Sequence, residues 1–379
     1  MAATVSWEKL KELAAFRAAR GRAISLYLDL DPSVAPTAGD VAAHANSLLS
    51  EGERRMASQG DLSHDQRAGL KADFERIRRY LDDDFDRQGS QGLAVFADGP
   101  DNLWQVLQLT EPVPDTVKVA NELYLAPLVP LVGRGDGALV AMVSRERGEV
   151  YRLRDGKLHE AVDERDEQPG RHDQGGWSQA RFQRHIDELS AEHMRRVASA
   201  LNRVVRRLHG PGVVIVCPEP MRNEFEELLA QDTRAALAGW THAEAHATPA
   251  QLLELATPVL QEWRVRQETA ALDRWREEAG RNGRAAAGWE RVLEAASDGR
   301  VELLLYRDGA NREAYQCPRC GRVDVADGSC PLDGTQMEPR GEGLDLAVHQ
   351  TLAHGGTVRA VGDRPDLDPA EGIGALLRY

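Results

Sequence analysis

Gln174-Gly175-Gly176-Trp177-Ser178-Gln179-Ala180-Arg181-Phe182-Gln183-Arg184-His185 joins two different kinds of sequence. Downstream, apolar residues recur at helical spacing from Ser178 to about Leu208, and Gly210, Pro211 and Gly212 then stop the helix. The next four residues, 213–216, are all β-branched and apolar, as expected of a strand buried on both faces of a parallel sheet. Upstream, residues 163–176 are polar and turn-rich, with Pro169, Gly170, Gly175 and Gly176. Before that loop, 138–143 and 149–153 read as two strands of a hairpin turning at Arg147 and Gly148. Helix, strand and helix repeat through Trp263, so this part of the chain is expected to be an α/β sandwich.

With 379 residues the chain is too long for a single ordinary core, and three domains are expected, at 1–133, 134–265 and 266–379. The first opens with an amphipathic helix over 7–20 and a strand over 24–30. A long helical stretch over 41–85, broken near 60–63, precedes strands at 92–97 and 104–109. The third begins with a charged helical connector over 261–297. It continues with a strand at 301–306, a cysteine-bearing insertion at 317–333, a helix at 345–352, a strand at 357–361 and a glycine-rich end at 372–379. The fold class is therefore α/β throughout.

Composition is 42% hydrophobic and 28% charged, which allows each part to bury a core. The first twenty residues lack the apolar run of a signal peptide, and no run reaches the roughly 20 apolar residues of a membrane span, so a cytoplasmic protein is expected. The net charge of −14 argues against indiscriminate nucleic-acid binding. One stretch runs the other way: between Arg171 and Arg207, eight arginines (171, 181, 184, 195, 196, 203, 206 and 207) face four acids (Asp173, Asp187, Glu188 and Glu192), net +4. A solvated helix surface with ion pairs explains such a cluster; a local basic face also suits an RNA that docks in one orientation.

In the loop itself, paired glycines let the backbone reach φ > 0 and approach a ligand closely, and Ser178 is placed to cap the helix that follows. Ser178 lacks the spacing of a nucleophile elbow. Gly176-x-x-Gln179, then Ala180-Arg181-Phe182-x-Arg184-His185 and Glu192-His193, resembles the central domain of the archaeal and eukaryotic class-one release factors. The Gly-x-x-Gln spacing is closer to the peptidyl-tRNA hydrolases of ribosome quality control. Ile24-Ser25-Leu26-Tyr27, Gly92-Leu93-Ala94-Val95-Phe96 and Gly372-Ile373-Gly374-Ala375-Leu376-Leu377-Arg378-Tyr379 resemble further segments of the same family, in the same order.

That resemblance implies a three-domain release-factor-like architecture and hydrolysis of the ester between a nascent peptide and tRNA. Gly175, Gly176 and Gln179 would form the catalytic loop, with Gln179 orienting a water. Arg181, Arg184, Arg206 and Arg207 would contact RNA phosphates. The implied partners are the ribosome, at the A site of the large subunit, peptidyl-tRNA and a translational GTPase. Trp177 departs from the release-factor glycine triplet, and 51–85 holds no counterpart of the family's stop-codon motif, so rescue without codon reading is expected. A non-catalytic alternative is a rescue or hibernation factor of the Pelota or Balon type, occupying the A site.

Cys317-Pro-Arg-Cys320-Gly321 and Cys330-Pro-Leu-Asp333-Gly334 form two knuckles. Three cysteines within fourteen residues of a cytosolic chain point to metal rather than a disulfide framework. A structural zinc held by Cys317, Cys320, Cys330 and Asp333 is expected, with His349, His354 or water as alternatives for the fourth position. Cys217 reads as a buried strand residue.

Overall fold

The computed structural model describes residues 5, 7–58, 62–87, 89–109, 111–132, 137–145, 147–154, 156–165, 177–208, 211–244, 246–281, 283–362 and 364–379; the side chains of 7, 8, 38, 55, 57, 58 and 163–187 lie outside the description. The first helix, α1 (Trp7–Ala14), stops six residues short of the expected end. The reason is a carboxylate: Asp101 accepts the backbone N–H groups of Ala19, Arg20 and Gly21 at 2.9, 2.8 and 3.1 Å. Ala18 donates to the Asn121 carbonyl at 2.7 Å, so these N–H groups are drawn out of the helical ladder. The N–H groups, led by that of Arg20, hold the Asp101 carboxyl down at about 2.

Strand β1 (Ala23–Asp29) is followed by α2 (Ala38–Ser58) and α3 (His64–Arg79), then β2 (Gly92–Asp98), β3 (Leu103–Leu109) and β4 (Thr116–Ala120). The break between the two helices ends in a capping box, in which Ser63 and Gln66 satisfy each other's backbone N–H. The four strands form an antiparallel sheet in the order β3-β2-β1-β4. Period-two alternation sorts its side chains. Ile24, Leu26, Leu28, Leu93 and Val95 pack against Leu49, Phe74 and Ile77 of the helices. Tyr27, Ala94 and Phe96 face the other way, into a core shared with the C-terminal part of the chain.

In the middle of the chain, β5 (Leu139–Val143), β6 (Arg147–Arg154) and β7 (Lys157–Arg165) make an antiparallel meander, and α4 (Trp177–Arg207) leads to β8 (Val213–Val216). The elements α5 (Arg222–Glu227), α6 (Gln231–Ala235), β9 (Leu237–Thr241) and α7 (Pro249–Gly280) complete it. The order is β7-β6-β5-β8-β9, with β5, β8 and β9 parallel. Leu139, Ala141, Val213 and Ile215 bury against Met194, Val197, Leu201 and Val205 of α4. Val140, Met142, Val214 and Val216 bury against Leu252, Ala256 and Leu260 of α7. Helices on both faces of one sheet are the expected sandwich. Cys217 is fully buried, and burial pushes its thiol up to about 11, as suits a packing residue.

Fully buried Glu149 accepts from Arg147 at 3.1 Å through Nε and from the Tyr151 hydroxyl at 2.9 Å. Removing one member of such a pair strands the other, so Glu149→Ala is expected to destabilise residues 133–267 by about 3 kcal/mol in urea unfolding. A loss within about 0.5 kcal/mol, the range of surface changes, would contradict the pair's role.

The expected helical connector over 261–297 is not continuous. Helix α7 ends at Gly280; β10 (Ala285–Ala287) then joins a sheet, and α8 (Trp289–Ser297) begins after Gly288, whose φ of +81° turns the chain. The remaining elements are β11 (Val301–Arg307), β12 (Ala314–Gln316), β13 (Val323–Asp324), β14 (Glu338–Arg340), α9 (Gly343–Ala353), β15 (Thr357–Val361) and β16 (Ile373–Leu377). The larger sheet has the order β10-β16-β11-β15 and the small cysteine-bearing one β13-β12-β14. Trp289, Val292, Leu293 and Tyr306 share one core with Tyr27 and Phe96, so Met1–Val132 and Glu268–Tyr379 make one compact unit and Gly133–Gln267 another. Among the described residues, no helix is long and apolar enough to cross a membrane.

Candidate functional site

The two cysteine knuckles are built alike. Gly321 and Gly334 sit at φ +79° and +71°, and each donates its N–H to the carbonyl four residues back, of Cys317 and Cys330, both at 2.9 Å. Those turns point four donor groups inward. Cys320 Sγ lies 3.5 Å from Cys330 Sγ, and Cys317 Sγ lies 3.7 Å from both Asp333 oxygens. All four ligand atoms fall within 4.8 Å of one another. A tetrahedral ion with metal–sulfur bonds of about 2.3 Å needs ligand separations of roughly 3.8 Å, so the set fits and can hold a metal ion. Burial works against the Cys317 thiolate, yet the N–H groups of Cys320 and Arg319 hold its pKa below the usual value. The Thr335 N–H, 3.0 Å from Asp333, likewise lowers that carboxyl. For the fourth position the structure brings Asp333, the expected ligand, to the sulfurs; the alternatives His349 and His354 are not in the group.

The second candidate is α4. Gly175 and Gly176 lie outside the described residues. Gln179 is the third residue of the helix, and Arg181 and Arg184 follow on its next turns; the side chains of all three lie outside the description. From Glu188 onward the helix is described in full. Val197, Leu201 and Val205 face the core, while Arg195, Ser199, Arg203, Arg206 and Arg207 are exposed. Five arginines (195, 196, 203, 206 and 207) face two acids (Glu188 and Glu192) in this part. The acids that do approach are distant: Arg196 to Glu192 is 3.7 Å and Arg206 to Asp232 is 4.0 Å.

Arg195, Ser199, Arg203 and Arg206 line a cleft of about 270 Å³ with Asn202 and Leu228. Its floor is fixed by Asn202, whose Oδ1 accepts the Ala230 N–H at 3.0 Å and the Thr233 hydroxyl at 2.7 Å. Guanidinium donors around an open cleft can hold a phosphate oxygen without reading a base. The candidate set from sequence held Arg206 and Arg207 and missed Arg195 and Arg203. The repeat Arg195, Ser199, Arg203, one turn apart each time, was the available signal.

A family profile described as "Bacterial archaeo-eukaryotic release factor family 10" matches residues 124–261, which enclose Gln179 and the arginine face. The chain is 26% identical over 354 residues to peptide chain release factor subunit 1 of Archaeoglobus fulgidus, spanning 87% of this chain and 84% of that one. The same factor of Pyrococcus abyssi is 24% identical over 335 residues, spanning 83% and 78%. A solved archaeal Pelota, described as ribosome-bound with ABCE1, matches 76% of this chain and 77% of its own at 16% identity and a TM-score of 0.43. The family match over the centre and the near full-length likeness to archaeal factors agree: the chain is similar to the archaeo-eukaryotic release factors along most of its length.

Proposed function

We propose that this chain is a ribosome-associated peptidyl-tRNA hydrolase that releases stranded peptides without reading a stop codon. The observation that carries the reading is local: the family match encloses a Gly-x-x-Gln sequence, Gly176 to Gln179, that runs into the first turn of α4, whose later turns carry an exposed arginine face. At the peptidyl transferase centre the ester already sits in a site walled by RNA, and what it lacks is a positioned water. Gln179 supplies a carbonyl that accepts from water and an NH2 that donates to its surroundings. Gly175 and Gly176 let that loop pass between crowded nucleotides. Such catalysis works by positioning and fixed dipoles and needs no strong protein base.

Arg181, Arg184, Arg206 and Arg207, joined by Arg195 and Arg203, would bind phosphates of tRNA and of the large subunit at the A site. The rest of the surface, on a chain of net charge −14, disfavours other docking orientations. A translational GTPase as delivery partner and a cytoplasmic location follow from the same reading. Zinc at Cys317, Cys320, Cys330 and Asp333 would be structural, since four protein donors leave no open position on a tetrahedral ion. Trp177, which with Ser178 separates Gly176 from Gln179, favours a second reading as an A-site binding factor without catalysis. Release of labelled peptide from peptidyl-tRNA on isolated large subunits separates the two.

Phosphate binding makes its own prediction. Co-sedimentation with ribosomes should fall steeply with salt, and Arg206→Glu with Arg207→Glu should weaken it by about tenfold or more and flatten the salt dependence. Binding indifferent both to salt and to this double reversal would reject the arginine face as the contact.

A further inference from the structure

A cavity of about 200 Å³ lies within the first unit, between β4, the loop after β14 and helix α9. Its polar groups are mostly acceptors. Glu122, Glu342 and Asp345 line it together with the imidazole of His349 and the ring of Tyr124. Asp345 Oδ1 accepts the N–H groups of Leu125 and Ala126 at 2.8 and 3.3 Å, which fixes the carboxyl at the cavity wall. Glu122 is only 9% exposed, yet its cation, Arg17, is half in solvent and 3.5 Å away. His349 Nε2 is shielded from solvent and has no hydrogen-bond partner, and burial lowers the pKa of the ring, so it stands neutral.

The cations of the cavity are already engaged. Lys118 pairs with Glu342, and Arg340 donates to Gln316 at 3.1 Å and to Glu338 at 3.3 Å. Glu342 is met by Lys118, whereas Glu122, Asp345 and the unpartnered His349 Nε2 converge on a space whose own cations are already engaged. We propose that this cavity binds a guanidinium or primary ammonium group. Such a group brings several N–H donors on one positive centre, and the ring of Tyr124 offers it a face; the same ring already stands 5.7 Å from the Lys118 ammonium. The volume suits the end of a side chain or a small diamine rather than a nucleotide.

The charges also set how binding responds to pH. Burial pushes the Asp345 carboxyl up to about 7, the two N–H groups oppose this, and Glu342 and Glu122 add to it. The other titratable groups facing the site are Tyr27, Tyr124, Lys118, Arg17, Arg340 and His349. A cation favours ionised Asp345, so its arrival releases a proton to solvent, and affinity rises with pH up to the carboxyl's own pKa and levels off above it.

The test is calorimetric titration of the full chain with agmatine and, separately, with acetyl-Gly-Arg-Gly-amide, at pH 6 and pH 8. One molecule per chain is expected, bound about fivefold to tenfold more tightly at pH 8, with proton release visible as a dependence on buffer ionisation heat. Glu122→Gln and Asp345→Asn should each weaken binding about tenfold, and Glu313→Gln, an exposed acid outside the cavity, should not change it. Agmatine bound without the peptide assigns a free cation; the peptide bound as well assigns a side chain of a partner protein. Absence of binding of either at millimolar concentration, or unchanged binding in Glu122→Gln, overturns the proposal. Should Asp345→Asn fail to fold, Glu122→Gln decides alone, with a thermal melt confirming its fold.

Discussion

Gln179→Ala is expected to slow single-turnover peptide release on large subunits on the order of 100-fold or more while ribosome affinity stays nearly intact. The two quantities separate because the residue's task lies in the transition state. Removing a group that only positions water leaves ground-state contacts in place, whereas removing a phosphate contact does the opposite. Gly176→Ala should also lower release, since a Cβ at that position restricts the backbone and takes up room beside the RNA. Release at the wild-type rate by both variants would move the activity elsewhere in the chain.

The second large effect concerns the metal. Purified protein should contain one zinc per chain, and its removal should unfold the cysteine-bearing sheet. The physical reason is the size of the core between the knuckles: Cys317, Cys330 and Met337 are buried together with Tyr315 packed against them, while Ala314 and Val323 of the same sheet bury into the main core instead. So small a cluster cannot by itself hold the two knuckles together, whereas structural zinc in modules of this size supplies on the order of 10 kcal/mol. Hydrogen exchange should show protection lost across residues 314–340 on treatment with a chelator, while α8 and β11 keep theirs. Zinc-free protein in which Cys320→Ala leaves the melting temperature unchanged would contradict this.

What could be read from residues alone depended on whether the signal was local. Strands β1, β2, β5 and β8 announce themselves by alternation or by short apolar runs, and the knuckles by spacing within fourteen residues. Strand β4 gave no such signal. It is a short edge strand after Pro112 and Pro114, and its place beside β1 is set by pairing to Ala23 and Leu26, nearly a hundred residues earlier. The end of strand β7 reads as the start of the polar loop, because Asp163, Glu164 and Arg165 are charged in succession on an edge strand that pairs with β6 alone. The shortened α1 and the divided connector have the same kind of cause: Asp101 draws in N–H groups some eighty residues away, and β10 is a strand only because β16 is beside it.

The sites divide in the same way. The arginine stripe of α4 was visible as helical spacing, and the fold adds which of its members share a cleft. The acceptor-lined cavity was invisible, since Glu122 and Asp345 lie more than two hundred positions apart and belong to segments expected to be separate domains.

The central claim rests on chemistry at the peptidyl-tRNA ester, and one reaction tests it most directly. Wild-type protein is added to large subunits carrying labelled peptidyl-tRNA, and released peptide and bound protein are measured in the same sample. Release within a single turnover, lost in Gln179→Ala although the variant still binds, is the predicted result. Occupancy of the A site by the wild-type chain with the peptide still esterified to tRNA would contradict it.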